Sequence, residues 1–370
     1  MTLPPIPDRA PLIADRLAPV LDQMPDPSGG TAAADLEHTL AQALGVAHVV
    51  AVSSGTTALH AALAACGIGP GDEVLVPALS VAMSAAPVVA LGARPVFVDS
   101  DTATWDVDYD DAARKVTGST RAIVPVHLWG RMGDPAALAG FASEHGLIVV
   151  EDAAQAIGTT RDGHRAGTVG AAGCFSMKDG KILWSSEGGF LATGRPEVAE
   201  HARAWRSHWQ PPPQGQVPQS RAATNARLAA PLAAIASANL HHLDELVQLR
   251  RAQTRHLLNA LEHALGLRRL APARGEEWNA YAPLLHLDLP RPRAFAEHLA
   301  SRGVPSSTGT FRLVPCDTRP AFTDPGRAPC RGAAQILDRT LAVVLTEHDR
   351  APDLDRYAAV IIREATAWAR

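Results

Sequence analysis

The stretch Ala47-His-Val-Val-Ala-Val-Ser-Ser-Gly-Thr-Thr-Ala-Leu59 changes its period in the middle. Ala47 to Ser54 is a short apolar run of the kind that forms a strand buried on both faces, whereas Thr56 to Cys66 has helical spacing and is stopped by Gly67. The same pattern recurs downstream. Strands are predicted at Glu73 to Pro77, Pro95 to Val98, Ala122 to Val126 and Leu147 to Val150, and helical segments such as Pro135 to His145, closed by Gly146, lie between most of them. Short apolar strands alternating with helices predict an α/β fold, a mostly parallel central sheet with helices on both faces. In such sheets a ligand lies beyond the carboxyl ends of the strands. Ser54 to Thr57, His127 and Glu151 to Gln155 all fall at those ends, around one crevice.

After about residue 200 the texture changes. Gln210 to Gln219 is rich in Pro and Gln and reads as an irregular loop, followed by a long helical pattern from Ala226 to about Leu265. Strand-like Ala282 to Leu287, helical Pro292 to Ser301 and a closing helix from about Leu354 suit a smaller α+β domain. A large domain with an N-terminal arm is expected over residues 1–240 and a small C-terminal domain over 241–370, in line with a length of 370 residues.

Composition narrows the class. Hydrophobic residues make up 46% of the chain and charged residues 19%, with no apolar stretch long enough to cross a bilayer. The net charge of -4 and the scattered basic residues give no reason to expect nucleic acid. Met-Thr-Leu-Pro-Pro-Ile-Pro at the start lacks the basic and apolar regions of a signal peptide, so a cytoplasmic protein is expected. Cys66, Cys174, Cys316 and Cys330 show no CxxC spacing and read as buried free thiols rather than metal ligands or disulfides.

Three segments carry chemistry. Only three lysines occur, Lys115, Lys178 and Lys181, and two of them sit in Cys174-Phe-Ser-Met-Lys-Asp-Gly-Lys-Ile-Leu-Trp-Ser-Ser-Glu-Gly-Gly189. A lysine amine, unlike a guanidinium, can lose its proton in a desolvated site and form a Schiff base. Ser53-Ser-Gly-Thr-Thr-Ala-Leu59 delivers Thr56 and Thr57 into a helix start, where free N–H groups, hydroxyls and the positive end of the dipole suit a phosphate. Leu147-Ile-Val-Val-Glu-Asp-Ala-Ala-Gln155 ends a strand in two carboxylates, and Asp152 placed against a pyridine nitrogen would keep it protonated. Each segment also has an ordinary structural reading: a solvated lysine, a helix N-cap, a capping aspartate after a strand. Together they are the groups that hold pyridoxal phosphate.

The chain resembles the DegT/StrS-type sugar and cyclitol aminotransferases, fold-type-I pyridoxal phosphate enzymes, over nearly its whole length. The resemblance rests on Ser54-Gly-Thr-Thr-Ala-Leu, Gly71-Asp-Glu-Val-Leu-Val-Pro-Ala, Gly92-Ala-Arg-Pro-Val-Phe-Val-Asp99, Pro125-Val-His-Leu-Trp-Gly130, Glu151-Asp-Ala-Ala-Gln-Ala156, Cys174-Phe-Ser176 and Glu187-Gly-Gly189, in matching order and spacing. It implies that Lys181 is the Schiff-base lysine, Asp152 the partner of the ring nitrogen and Gln155 a neighbour of the ring hydroxyl. Gly55, Thr56, Thr57 and Ser176 would hold the phosphate. Asn225 would reach the phosphate of a neighbouring subunit, which implies a homodimer with shared sites. Lys178 has no counterpart and is read as solvated. Two positions depart from the pattern: Val81 stands where an aromatic residue usually lies on the ring, and Thr224 replaces a common tyrosine. His127, Arg206, His208 and Arg227 are candidate substrate contacts, with a hydrogen-bonded structural role open for His127.

The implied activity moves an amino group from glutamate or glutamine to a keto sugar or keto cyclitol. Two alternatives stand beside it: a dehydrating or aromatising enzyme like 3-amino-5-hydroxybenzoate synthase, and a regulatory homologue without turnover.

Overall fold

The computed structural model describes residues 2–24, 30–209, 223–307, 313–322 and 328–369, so the loop expected at Gln210 to Gln219 lies outside the described residues. Five strands alternate with helices in the first half: β1 (His48–Val52), β2 (Glu73–Pro77), β3 (Arg94–Val98), β4 (Thr120–Ile123) and β5 (Ile148–Asp152). Two short strands, β6 (Thr160–Arg161) and β7 (His164–Arg165), precede β8 (Ala172–Ser176) and β9 (Gly189–Thr193). Seven of these form one sheet in the order β1-β9-β8-β5-β4-β2-β3. All its neighbours pair in parallel except β9, which runs antiparallel to both β1 and β8.

Burial on both faces explains why these strands read as continuous apolar runs. Side chains alternate along β1, so Val50 and Val52 join the core beneath helix Gly55–Ala65, while Val49 and Ala51 join a second core with Leu36 and Leu40 of helix Ala32–Leu44. Opposite faces of one five-residue strand thus feed two cores.

The remaining strands are β10 (Leu267–Arg269), β11 (Glu276–Glu277), β12 (Leu284–Leu287), β13 (Ser306–Ser307) and β14 (Thr340–Val343). Four of them make a second sheet, β10-β12-β14-β13, whose own core includes Leu285, Phe295, Leu341 and Ile361. β11 instead pairs with β6, which fastens the chain after Arg269 to the first sheet's connections.

The single helical pattern expected from Ala226 to Leu265 is two helices, Ala230–Leu240 and Leu243–Ala260. The break falls at His242, whose φ of -109° and ψ of 17° leave helical geometry. Its ring engages Glu245 at 2.7 Å, a local bond that stabilises a fresh helix start. No helix among the described residues is long and apolar enough to cross a membrane. All four cysteines are free, and Cys174, Cys316 and Cys330 are buried.

Candidate active site

Beyond the carboxyl ends of β4, β5 and β8 lies a cavity of about 330 Å³. Its walls bring together Lys181, Asp152, Gln155, Gly55, Thr56, Ser176, Val81 and His127 from six separate segments.

Close backbone approach builds one end of it. Ser54 caps helix Gly55–Ala65 by accepting from the Thr57 N–H at 3.1 Å. Gly55 and Thr56 are left with backbone N–H groups that make no hydrogen bond among the described residues. A Cβ on Gly55 would come within 2.7 Å of Ser176 Cβ. A Cβ on Gly189 would lie 2.4 Å from the Ser54 carbonyl carbon and 2.5 Å from Gly55 N. The turn, the end of β8 and the start of β9 therefore meet without side chains between them, and Glu187-Gly-Gly189 is first a packing device. The outcome is a cradle of free amides at the positive end of a helix, with the Ser176 hydroxyl beside it.

Alternation along β5 separates the two carboxylates that end it. Glu151 points away into the fold, fully buried, and accepts from the N–H groups of Gly167 (2.9 Å), Val169 (2.7 Å) and Gly170 (2.8 Å) and pairs with His127 Nε2 (2.9 Å). Burial pushes its carboxyl upward, but the His127 bond and charge and the Gly170 and Gly167 amides outweigh that and hold it below the ordinary range. Asp152 faces the cavity. Its Oδ2 accepts from Ser84 Oγ at 2.6 Å and its Oδ1 from the Ala154 N–H at 3.1 Å, and Ser84 in turn accepts from Ser80 Oγ at 2.6 Å.

Lys181 is not on a strand. It sits in the turn between β8 and β9, its N–H bonded to the Lys178 carbonyl, after Gly180 at φ +86°. Its Nζ lies 5.2 Å from the centre of the Tyr281 ring. Lys178, read as solvated, is exposed and lines the same cavity. Gln155 accepts from the Trp129 N–H at 2.6 Å through Oε1, which leaves its amide nitrogen for the cavity.

Five candidates do not reach this cavity within the chain. The Thr57 hydroxyl bonds back to Ser54 Oγ at 2.7 Å, completing the cap instead of the cradle. Arg206 turns to Glu37 and the Ala51 carbonyl, tying helix Pro196–Arg206 to the outer face of β1. His208 is exposed at φ +59°, and its N–H bonds to the Thr224 carbonyl. Asn225 and Arg227 are exposed on a segment that bridges Ser207 and Val52. Conversely, Ser84 and Tyr281 were not singled out from the sequence. Ser84 carried one signal, a hydroxyl four residues after Ser80; Tyr281 carried none, being brought in from the far half of the chain.

The DegT/DnrJ/EryC1/StrS aminotransferase family profile matches residues 13–360. A dTDP-3-amino-3,4,6-trideoxy-alpha-D-glucose transaminase of Streptomyces venezuelae is 35% identical over 326 residues, 87% of this chain and 83% of that protein. An L-glutamine:2-deoxy-scyllo-inosose aminotransferase of Streptomyces kanamyceticus is 40% identical over 234 residues, 60% of this chain and 54% of that protein. Against this and two other curated relatives the matched region spans only 54% to 58% of the relative's length. A crystal structure of 3-amino-5-hydroxybenzoic acid synthase superposes with a TM-score of 0.89 at 28% identity, covering 99% of both chains.

Proposed function

The chain belongs to the DegT/DnrJ/EryC1/StrS aminotransferase family, and from that premise we propose that it is a pyridoxal phosphate-dependent aminotransferase acting on a keto sugar or keto cyclitol, with glutamate or glutamine as amino donor. The observation that carries this reading is the convergence of Lys181, Asp152 and the bare Gly55–Ser176 turn on one cavity. The sugar transaminase and the cyclitol aminotransferase among its relatives support the acceptor class.

These residues fit the cofactor. The missing Cβ atoms let the turn lie directly against Ser176, and the amides of Gly55 and Thr56, unpaired among the described residues, suit a phosphate. The cofactor supplies, when bound, an electron sink for the pair left when a C–H bond next to nitrogen breaks. Asp152, fixed by Ser84 and Ala154, would hold a proton on the ring nitrogen. Lys181 Nζ would hold the cofactor and is the base that would move the proton of the substrate carbon. His127, locked by Glu151, walls the substrate side. The donor amino group ends on the acceptor carbon and the keto oxygen on the donor. The exposure of Asn225 outside its own cavity supports a role for it in the site of a neighbouring copy, in a homodimer.

Borohydride treatment of the cofactor-bound protein should fix the label on the peptide that contains Lys181. Labelling at Lys178, in the same cavity, would overturn the assignment. The superposition on 3-amino-5-hydroxybenzoic acid synthase favours one second reading, loss of water with aromatisation. Consumption of one amino donor per product decides for transamination.

A further inference from the structure

A second and larger cavity, about 490 Å³, opens behind the wall formed by Val126, His127 and Leu128, beyond the ends of β2 and β4. Five arginines and two aspartates are its charged lining. Asp106 has both oxygens engaged, accepting from the Val107 and Asp134 N–H groups, each at 2.7 Å, whereas Asp134 uses Oδ1 as a helix cap for the Ala136 and Ala137 N–H groups and turns Oδ2 toward Arg161 at 3.8 Å. The two enclosed arginines, Arg131 and Arg161, keep unfilled donors. The Arg131 guanidinium, on a side chain 16% exposed, makes no hydrogen bond among the described residues. It has a 3.8 Å ion pair with Glu276 and a place over the Trp105 ring, 5.6 Å from its centre. Glu276 spends its own oxygens on the Met132 and Ala273 N–H groups. Arg161, equally enclosed, gives one bond to the Met132 carbonyl, pairs with Asp134 and Asp162 only at 3.8 Å, and leaves Nε without a hydrogen-bond partner among the described residues. Arg269 and Arg274 are exposed at the mouth.

Enclosed guanidiniums short of acceptors are costly, and two of them at one cavity repel each other. Burial, followed by the neighbouring Arg161 charge, lowers the Arg131 pKa against the pull of Glu276. A doubly charged group with several acceptor oxygens would satisfy both forks at once. The volume suits a ring attached to such a group, and the tilted Trp105–Trp129 pair, 5.4 Å between centres, gives that ring an apolar wall. We infer that this cavity binds a phosphate monoester of a sugar-sized molecule, held by Arg131 and Arg161 and drawn in by Arg269 and Arg274, apart from the cofactor's own phosphate cradle.

The test is calorimetric titration of the cofactor-loaded protein with glucose 6-phosphate, with glucose as the uncharged control. One saturable site per chain is expected for glucose 6-phosphate, none for glucose, and the affinity should fall with added salt. Arg131→Gln and Arg161→Gln should each weaken binding about tenfold, the loss of a charge-assisted bond. Exposed Arg269→Gln with Arg274→Gln should weaken it several-fold without disturbing the fold, so the test survives if an enclosed variant misfolds. Met83→Trp, which narrows the other cavity, should change nothing. Absence of saturable binding overturns the inference. So does binding that Met83→Trp abolishes and the arginine variants leave intact, because the ligand would then sit in the catalytic cavity.

Discussion

At the scale of single residues, Asp152, the carboxylate proposed to face the ring nitrogen, is held by its neighbours. One oxygen takes the Ser84 hydroxyl and the other the Ala154 amide, so the carboxylate is oriented before anything binds. Asp152→Ala is expected to keep the fold yet lose turnover by about a hundredfold to several thousandfold, the effect of about 3 to 5 kcal/mol at a paired ionic group. Steady-state kinetics on variant with a native melting curve checks it. Ser84→Ala should be milder, about 1 to 2 kcal/mol or about five- to thirtyfold in rate, because the carboxylate remains but is less firmly placed. A Ser84→Ala enzyme with unchanged kcat would remove Ser84 from the site's support. Val81 lines the cavity where stacking is usually supplied by a ring, so pyridoxamine phosphate should be lost on dialysis with amino donor, and Val81→Trp should slow that loss.

Elements meet at the cradle through the absence of side chains. β9 can lie antiparallel between β1 and β8 with its first residue against the Ser54–Gly55 turn only because Gly189 has no Cβ. Gly189→Ala is therefore expected to destabilise the protein by about 1 to 3 kcal/mol, the usual range for overpacking. It should also displace the turn proposed to receive the phosphate. A chemical denaturation midpoint read together with cofactor retention tests both consequences. An unchanged midpoint with normal retention would show that the turn can yield. After the break at His242 the second helix spans two cores, with Leu246 and Val247 on the same core as Leu240 and Leu257 and Leu258 on that of the second sheet.

For the molecule as a whole, Glu151 ties β5, the Gly167–Gly170 loop and His127 together in one buried contact. Its folded pKa is held below the ordinary carboxylate value of about 4.3, so its contribution to stability is complete above that pH. The contribution is lost as pH falls through the depressed folded value. Glu151→Gln should be less stable than the parent near neutrality, and the gap should close on acidification below about pH 4. Melting curves from pH 7 to pH 3 measure it; a gap independent of pH would mean that the lost hydrogen-bond geometry, not the charge, is what matters. Assembly is tested separately. Inactive Lys181→Ala and Asn225→Ala chains, mixed under exchange, should regain part of the activity if Asn225 completes a neighbour's site. No rescue despite proven exchange would count against sharing.

Much of the architecture was legible in the chain, because hydrophobic period depends on local geometry. Runs such as Glu73-Val-Leu-Val-Pro77 can only be strands buried on both faces, and Gly67 and Gly146 stop helices whatever surrounds them. The residues at the strand ends, Gly55, Thr56, Asp152 and Gln155, could be placed around one crevice for the same reason. What the chain could not reveal depends on contacts between distant segments. Asp152 meets Ser84 across 68 residues, and Tyr281 reaches Lys181 from the other half of the protein. Arg206, apparently poised after the lysine segment, is captured by Glu37 169 residues earlier, since a guanidinium goes to the carboxylate that packing offers it. Periodicity determines which elements form and which way their side chains face; only the packed fold decides which of those side chains meet, because that choice is made by shape and by the cost of leaving a buried charge unpaired.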